Sequence, residues 1–267
     1  MELLILNIGI TACLLLIYVT LVFFIAQILK DNSIMDIFYG PAFFITSLSF
    51  VLLSNTNSLL SSIIIGCIGL WAARLSIRIF RKNFGNPEDE RYAAWRTEWM
   101  KKGRWYFLIR SYLQINLLQG LVILIVLLPF IISVSDLSSF SPLFTFLGLT
   151  VFVFGLAYES IADYQLDKFI QRKKAGTEEA TLMTKGLFKY SRRPNYFGET
   201  LVWWGQAIMV LPLMFGFLAI LSPLLITYVV TKVTGPMLEN NFLKRYPEEY
   251  KKYMETTSYF VPQPPKS

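Results

Sequence analysis

Apolar residues run through this chain in long blocks that polar residues only punctuate. The blocks cover about 3–29, 34–54, 58–80, 112–134, 141–163 and 199–238. A helix needs roughly 20 apolar residues to cross the hydrocarbon of a bilayer, so each of the first five blocks predicts one spanning helix. The last block is about twice that length and is broken by Pro212 and Gly216. It predicts two helices joined by a tight turn near 213–216. The expected architecture is therefore all-α: a polytopic membrane protein with a bundle of seven transmembrane helices. No repeat, low-complexity stretch or linker divides it, so a single domain is expected over residues 1–267. The first block lacks a basic flank and a small-residue cleavage site, and reads as a retained helix rather than a signal peptide.

Basic residues fix the orientation this pattern predicts. The loop 81–111 holds eight Lys/Arg, the loop 164–198 holds eight, the tail 239–267 holds five, and the turn at 30–33 holds Lys30. The alternate loops, near 55–57, 135–140 and 213–216, hold none. Cytoplasmic loops carry the excess of Lys and Arg. This places the N-terminus outside and the C-terminus in the cytoplasm, and seven spans satisfy it where six would not. The expected location is a bacterial inner membrane. The charged share is 16% and the hydrophobic share 54%, against about 25% charged in an ordinary soluble domain, which supports the same class. The net charge of +7 is explained by this topology and by attraction to anionic lipid. Its spread over several loops gives no reason to expect a nucleic-acid partner.

Composition also removes chemistries. The chain has no histidine and two cysteines, Cys13 and Cys67, both inside apolar blocks. That excludes a disulfide framework, a zinc spacing, a histidine-based metal centre and a Ser-His-Asp triad, and no metal is expected. Acid–base work falls to Tyr, Lys, Asp or Glu.

Charges inside the apolar blocks are the next signal, because intramembrane ionisable residues are functional candidates by default. Arg74, Arg78 and Arg81 recur at i, i+4, i+7 on one face of the third helix. Glu159, Asp163 and Asp167 recur at i, i+4, i+8 on the fifth. Asp36 opens the second helix with Tyr39 a turn later, Glu199 begins the sixth, and Glu239 ends the seventh. The bland account is that the two stripes neutralise one another or snorkel to the headgroups. It suits Arg81 and Asp167 near the boundary better than Arg74 and Asp163 deeper in. Together these positions outline a polar cavity in the cytoplasmic half of the bundle.

Residues 185–200 read KGLFKYSRRPNYFGET. Pro194 suits the first turn of a helix, and the free N–H groups of that turn with Arg192 and Arg193 would form an anion site. Asn195 and Glu199 share a face at i, i+4, and Glu199 can accept hydrogen bonds from ribose hydroxyls or an amide. Such a site can hold a dinucleotide without a GxGxxG turn, which the chain lacks.

The stretch GLFKYSRRPNYFGE at 186–199, followed by WWG at 203–205, resembles the C-terminal signature of the steroid 5-alpha-reductase superfamily. It is closest to the bacterial branch catalogued as a domain of unknown function. Residues 71–75 (WAARL), 88–92 (EDERY), 162–165 (ADYQ), 241–250 (NFLKRYPEEY) and 260–262 (FVP) extend the similarity over about 30–262, with the signature region at about 158–262. The resemblance implies a seven-helix membrane reductase that binds NADPH from the cytoplasmic side. It implies cofactor contacts at Asn195 and Glu199 and on helix five at Asp163, with Arg74, Arg78 and Arg81 reaching the phosphates. Glu159, Arg192, Arg193, Tyr196 and Glu239 join that set. The steroid reductases place a Gln-Glu pair on helix two and a tyrosine on helix three near the substrate carbonyl. Here helix two offers Asp36 and Tyr39, and no tyrosine lies between 58 and 80; Tyr92 follows beyond. Asp36, Tyr39 and Tyr92 are thus the candidate catalytic residues.

The expected activity is NADPH-dependent reduction of a lipophilic alkene conjugated to a carbonyl, with an acid polarising that carbonyl. The alternative is a membrane methyltransferase of the isoprenylcysteine or phospholipid type. These enzymes share an Arg-x-Pro-x-Tyr element and bind S-adenosylmethionine, but that cofactor carries no phosphate for the arginines. A non-enzymatic transporter or lipid-binding bundle would more often show inverted repeats and broken helices, which the sequence lacks.

Overall fold

A computed structural model describes residues 2–135 and 139–266; the predicted 135–140 loop lies partly outside them. Among the described residues there are helices and turns and no strand. Six helices are long and apolar enough to cross a membrane: Glu2–Leu29, Ile34–Ser54, Leu59–Asn83, Arg104–Ser133, Pro142–Lys174 and Gly216–Arg245. The chain is on this ground an integral membrane protein. The remaining helix that the apolar pattern predicts, Pro194–Val210, is 17 residues long, shorter than a full span of roughly 20.

The chain packs as two compact units, Met1–Phe140 with Leu213–Leu218, and Ser141–Pro212 with Ala219–Ser267. Hydropathy alone offers no such boundary.

The first unit contains α1 (Glu2–Leu29), α2 (Ile34–Ser54), α3 (Leu59–Asn83), α4 (Glu90–Met100) and α5 (Arg104–Ser133). α1 shows why lipid inverts the usual amphipathic rule. Leu3, Leu6, Ile10, Leu14, Ile17 and Leu21 are exposed at spacings of three and four, while Asn7 and Thr11 are buried. Hydrocarbon accepts the apolar stripe, and the polar groups turn inward, where Asn7 Nδ2 donates to Ser54 Oγ at 3.2 Å. Small residues bring α2 onto α3: a Cβ on Gly40 would lie 2.7 Å from the Ala72 carbonyl oxygen and 2.9 Å from Ser76 Oγ.

The loop after α3 is pinned to the α1–α2 turn. Glu88 accepts from the Asn32 amide at 2.7 Å and from Arg96 at 2.7 and 2.9 Å. Arg96 also lies over the Phe107 ring at 4.8 Å. α4 and the first turns of α5 fall outside the apolar pattern, which starts that helix at 112. They carry Arg91, Arg96 and Arg104, with Lys101 and Lys102 in the turn between them, a composition that belongs outside the hydrocarbon.

The second unit contains α6 (Pro142–Lys174), α7 (Pro194–Val210), α8 (Gly216–Arg245, its first three residues in the other unit) and α9 (Pro247–Thr256). α6 and α7 meet along a seam of glycines seven residues apart, Gly148 and Gly155 against Gly205 and Gly198. A Cβ on Gly205 would lie 2.6 Å from the Gly148 carbonyl oxygen, and one on Gly198 would lie 2.6 Å from the Glu159 backbone nitrogen. Backbones can come this close only without side chains in the way.

α8 widens into a π turn at Val229–Thr234, just before Gly235-Pro236. Pro236 has no N–H for the carbonyl four residues back, and the wider turn absorbs the mismatch. The phenol of Tyr259 seals this place: it donates to the Thr231 carbonyl at 2.7 Å and occupies the space a Cβ on Gly235 would need.

Candidate functional site

Two polar clusters emerge, one in each unit. In the first unit, three donors converge on one carboxylate. Tyr92 Oη donates to Asp36 Oδ1 at 2.6 Å, Gln119 Nε2 to the same oxygen at 3.2 Å, and Arg91 Nη2 to Oδ2 at 3.3 Å. Each arrives by a local cause. Asp36 lies in the first turn of α2. Arg91 and Tyr92 lie in the first turn of α4, whose N-cap Asp89 accepts from the Arg91 amide at 3.1 Å and from Arg91 Nε at 3.0 Å. Gln119 follows a π turn at Tyr112–Leu117, which changes the facing of the helix beyond it. That turn is anchored where Asn116 Nδ2 donates to the Val19 carbonyl at 3.2 Å.

The electrostatics keep the phenol protonated. Tyr92 is 5% exposed. Burial first, and then the negative charge of Asp36, push its phenol well above the usual tyrosine range. Its proton is therefore retained through neutral pH. Burial works to raise the Asp89 carboxyl, but hydrogen bonds from Arg91, aided by Lys82, hold it below the usual carboxylate range. Asp89 thus stays ionised and keeps Arg91 in place.

Sequence reasoning singles out Asp36 and Tyr92 separately, and the structure brings them into one hydrogen bond. It misses Gln119 and Arg91. Tyr39 stands on the next turn of α2 with its ring edge-on to Phe43 at 5.1 Å, which in turn meets Trp71 at 5.3 Å. Arg74 and Arg78 are half-buried on α3, and Arg81 is exposed beyond them.

The second cluster surrounds the start of α7. Arg192 and Arg193 are neighbours in sequence and have different surroundings. Arg192 is 7% exposed, with Nε 2.8 Å from Glu239 Oε1. Its Nη1 donates to the Met254 and Thr257 carbonyls at 2.9 and 3.2 Å, and its backbone N–H donates to the Ser258 carbonyl at 2.8 Å. Ser191 Oγ donates to the Phe260 carbonyl at 2.8 Å, and Tyr253 Oη to that of Phe188 at 2.5 Å. Arg192 and Glu239 thus fasten the C-terminal tail beneath α7.

Arg193 is the N-cap residue of α7, with φ −135° and ψ 57°, and its guanidinium lies 5.6 Å from the Phe242 ring centre. Its Nε and Nη2 are sealed from solvent and have no hydrogen-bond partner among the described residues. Burying a cation without hydrogen bonds is costly, and the first-turn amides of α7 lack intrahelical acceptors beside it. An anion satisfies both. Asn195, Tyr196 and Glu199, all half-buried, continue from this point along α7. Glu159 and Asp163 are each 4% exposed on α6, where Gly198 packs directly against Glu159. A phosphate-bearing group fits this cradle: a half-buried cation with two sealed, unmatched nitrogens, an open helix N-terminus and, along α6 and α7, carboxylates for hydroxyl or amide donors.

A protein-family signature described as "Protein of unknown function (DUF1295)" matches residues 22–257. An uncharacterized protein of Schizosaccharomyces pombe is 24% identical over 150 residues, half of this chain and 43% of that protein. The chain thus spans under half the length of that relative. No solved structure matches.

Proposed function

The chain belongs to the DUF1295 family, and from that premise we propose that it is a steroid 5-alpha-reductase-like membrane enzyme, an NADPH-dependent reductase of a lipophilic enone. The observation that carries the reading is Arg193, a half-buried cation at an open helix N-terminus, two of whose guanidinium nitrogens are sealed and lack partners among the described residues. S-adenosylmethionine has no phosphate to offer there; a phosphorylated dinucleotide has several.

In this reading Arg193 and the first turn of α7 hold phosphate, and Asn195 and Glu199 hold hydroxyl or amide groups. Arg192 and Glu239 position these elements by fastening the tail. NADPH, when bound, supplies the hydride for the β-carbon of the enone. In the first unit Tyr92 is the candidate donor to a substrate carbonyl: its one phenolic proton would turn from Asp36 to that oxygen, while Gln119 and Arg91 continue to hold Asp36. As the carbonyl oxygen gains charge, that bond strengthens, which is where a fixed donor lowers a barrier. The α-carbon would take the balancing proton from solvent water, so that hydride and proton together saturate the alkene. The proposed topology is seven spans with α7 as the sixth, the N-terminus outside and the cofactor cluster cytoplasmic, which the Lys/Arg distribution supports.

The test is ligand-dependent melting of the purified protein in detergent. NADPH is expected to raise the midpoint by mass action, and Arg193→Gln to abolish the shift. Stabilisation by S-adenosylmethionine alone would replace this reading with the methyltransferase.

A further inference from the structure

Gln206 lies on α7 and is 0% exposed. Neither its carbonyl oxygen nor its amide nitrogen has a hydrogen-bond partner among the described residues. At a fully buried position of an apolar helix this is an expensive residue to keep, because both halves of the amide are desolvated and unmatched. Its position on the helix gives the reason. Asn195, Glu199 and Gln206 fall at i, i+4 and i+11, one face of α7. At 1.5 Å per residue, Gln206 lies about 18 Å along the axis from Pro194, where the phosphate cradle opens.

We propose that Gln206 holds the carboxamide of the nicotinamide ring, at the inner end of a cofactor laid along α7. The proposal rests on the dinucleotide reading above. A side-chain amide offers one donor and one acceptor side by side, and a primary carboxamide offers the same pair reversed. Two parallel hydrogen bonds then satisfy both partners and fix which face of the ring is presented. A lone carbonyl or hydroxyl would leave one half of Gln206 unmatched. A leucine would fill the same space with no polar requirement, so the amide has a use only when a ligand completes it. Gln206 is on this account a cofactor-binding residue that sets the seating of the ring, while Arg193 sets the seating of the phosphates.

The test is equilibrium binding to the full-length protein in detergent, with wild type and Gln206→Leu. Three probes are used: NADPH, its acetylpyridine analogue, which keeps the acceptor but lacks the N–H donor, and adenosine 2′,5′-bisphosphate, which lacks the ring. The variant is expected to bind NADPH about tenfold more weakly, the worth of one to two hydrogen bonds, and to bind adenosine 2′,5′-bisphosphate as wild type does. Its unliganded melting midpoint is expected to equal or exceed that of wild type, since an unmatched amide has been removed. Wild type should prefer NADPH over the acetylpyridine analogue, and the variant should not. Equal NADPH affinity in both proteins, or no preference in wild type, overturns the assignment of Gln206 and leaves the reductase reading standing. Failure of wild type to bind either NADPH or adenosine 2′,5′-bisphosphate overturns the reductase reading itself and this inference with it. The wild-type comparison of the two nicotinamide ligands decides the matter even if the variant does not fold.

Discussion

The hydroxyl of Tyr92 donates to Asp36 Oδ1 at 2.6 Å, joining the first turn of α4 to the first turn of α2. Fifty-six residues separate the two in sequence, and the bond sits among two further donors, from Gln119 and Arg91. In the proposed reaction this single proton turns from Asp36 to the substrate carbonyl. Tyr92→Phe is therefore expected to lower turnover by about 10²–10³, the loss found when one preorganised donor is removed. NADPH affinity should stay within about twofold, since Tyr92 lies outside the phosphate cradle. Steady-state kinetics with parallel binding titrations check both halves, and an unchanged turnover removes Tyr92 from the chemistry.

Arg192 and Arg193 should behave oppositely. Arg192→Gln leaves the half-buried Glu239 without its cation, a loss of about 1.5–3 kcal/mol for a charge-assisted bond, and should release the C-terminal tail to limited proteolysis. Arg193→Gln should leave the unliganded melting midpoint near wild type and remove NADPH binding. Proteolysis and ligand-dependent melting separate the two. Similar behaviour of both variants would mean that tail fastening and phosphate binding are not divided between these two arginines.

Gly235→Ala should displace Tyr259, because the phenol occupies the space the new methyl needs. The Thr231 carbonyl then loses its donor, and a buried acceptor left unpaired costs about 1–3 kcal/mol. The double variant Gly235→Ala, Tyr259→Phe should be little worse than the single one, since the bond is already gone. A melting series across the four proteins tests this coupling, and strict additivity would contradict it.

Alkali should loosen the second unit through its tyrosines. Burial pushes the Tyr250 phenol up to about 12, and burial raises Tyr253 as well. In the unfolded chain both ionise near about 10. Their contribution is thus fully present below about pH 10 and is lost as pH rises through the folded values. The melting midpoint should fall more steeply with pH above about 10 in wild type than in Tyr250→Phe, Tyr253→Phe. Parallel slopes would assign the loss to other groups.

The proposed topology predicts where reporters face. Fusions after residues 56 and 214 should report the outside, and fusions after 178 and 263 the cytoplasm. A cytoplasmic signal at 214 would mean that α7 does not cross the bilayer and that six helices do.

The spanning helices are legible because hydrocarbon selects composition directly: a block such as 112–134 needs no partner to be recognised. α4 is not, because its residues ERYAAWRTEWM mix charge with aromatics and carry no apolar run. Asp36 and Tyr92 each stand out, one as a charge beside lipid and the other as a tyrosine after α3. Their contact depends on how the 84–103 loop folds back through Glu88 and Asn32, which no local pattern encodes. Gln119 and Gln206 escape because a neutral amide inside an apolar block raises no electrostatic signal. In sequence Arg192 and Arg193 read as one anion-binding pair. The chain bends at Arg192 and enters α7 directly after Arg193, so one side chain serves the tail and the other the start of α7.

The glycine seam of α6 and α7 has one more consequence. Gly148, Gly155, Gly198 and Gly205 each face a neighbouring helix's backbone at a distance no side chain tolerates. Natural variation at these four places should be close to nil, while the lipid-facing residues of the same helices drift freely among Leu, Ile, Phe and Val. A survey of viable random mutants would therefore show a silent heptad running up both helices, a record of backbone proximity written as missing alleles.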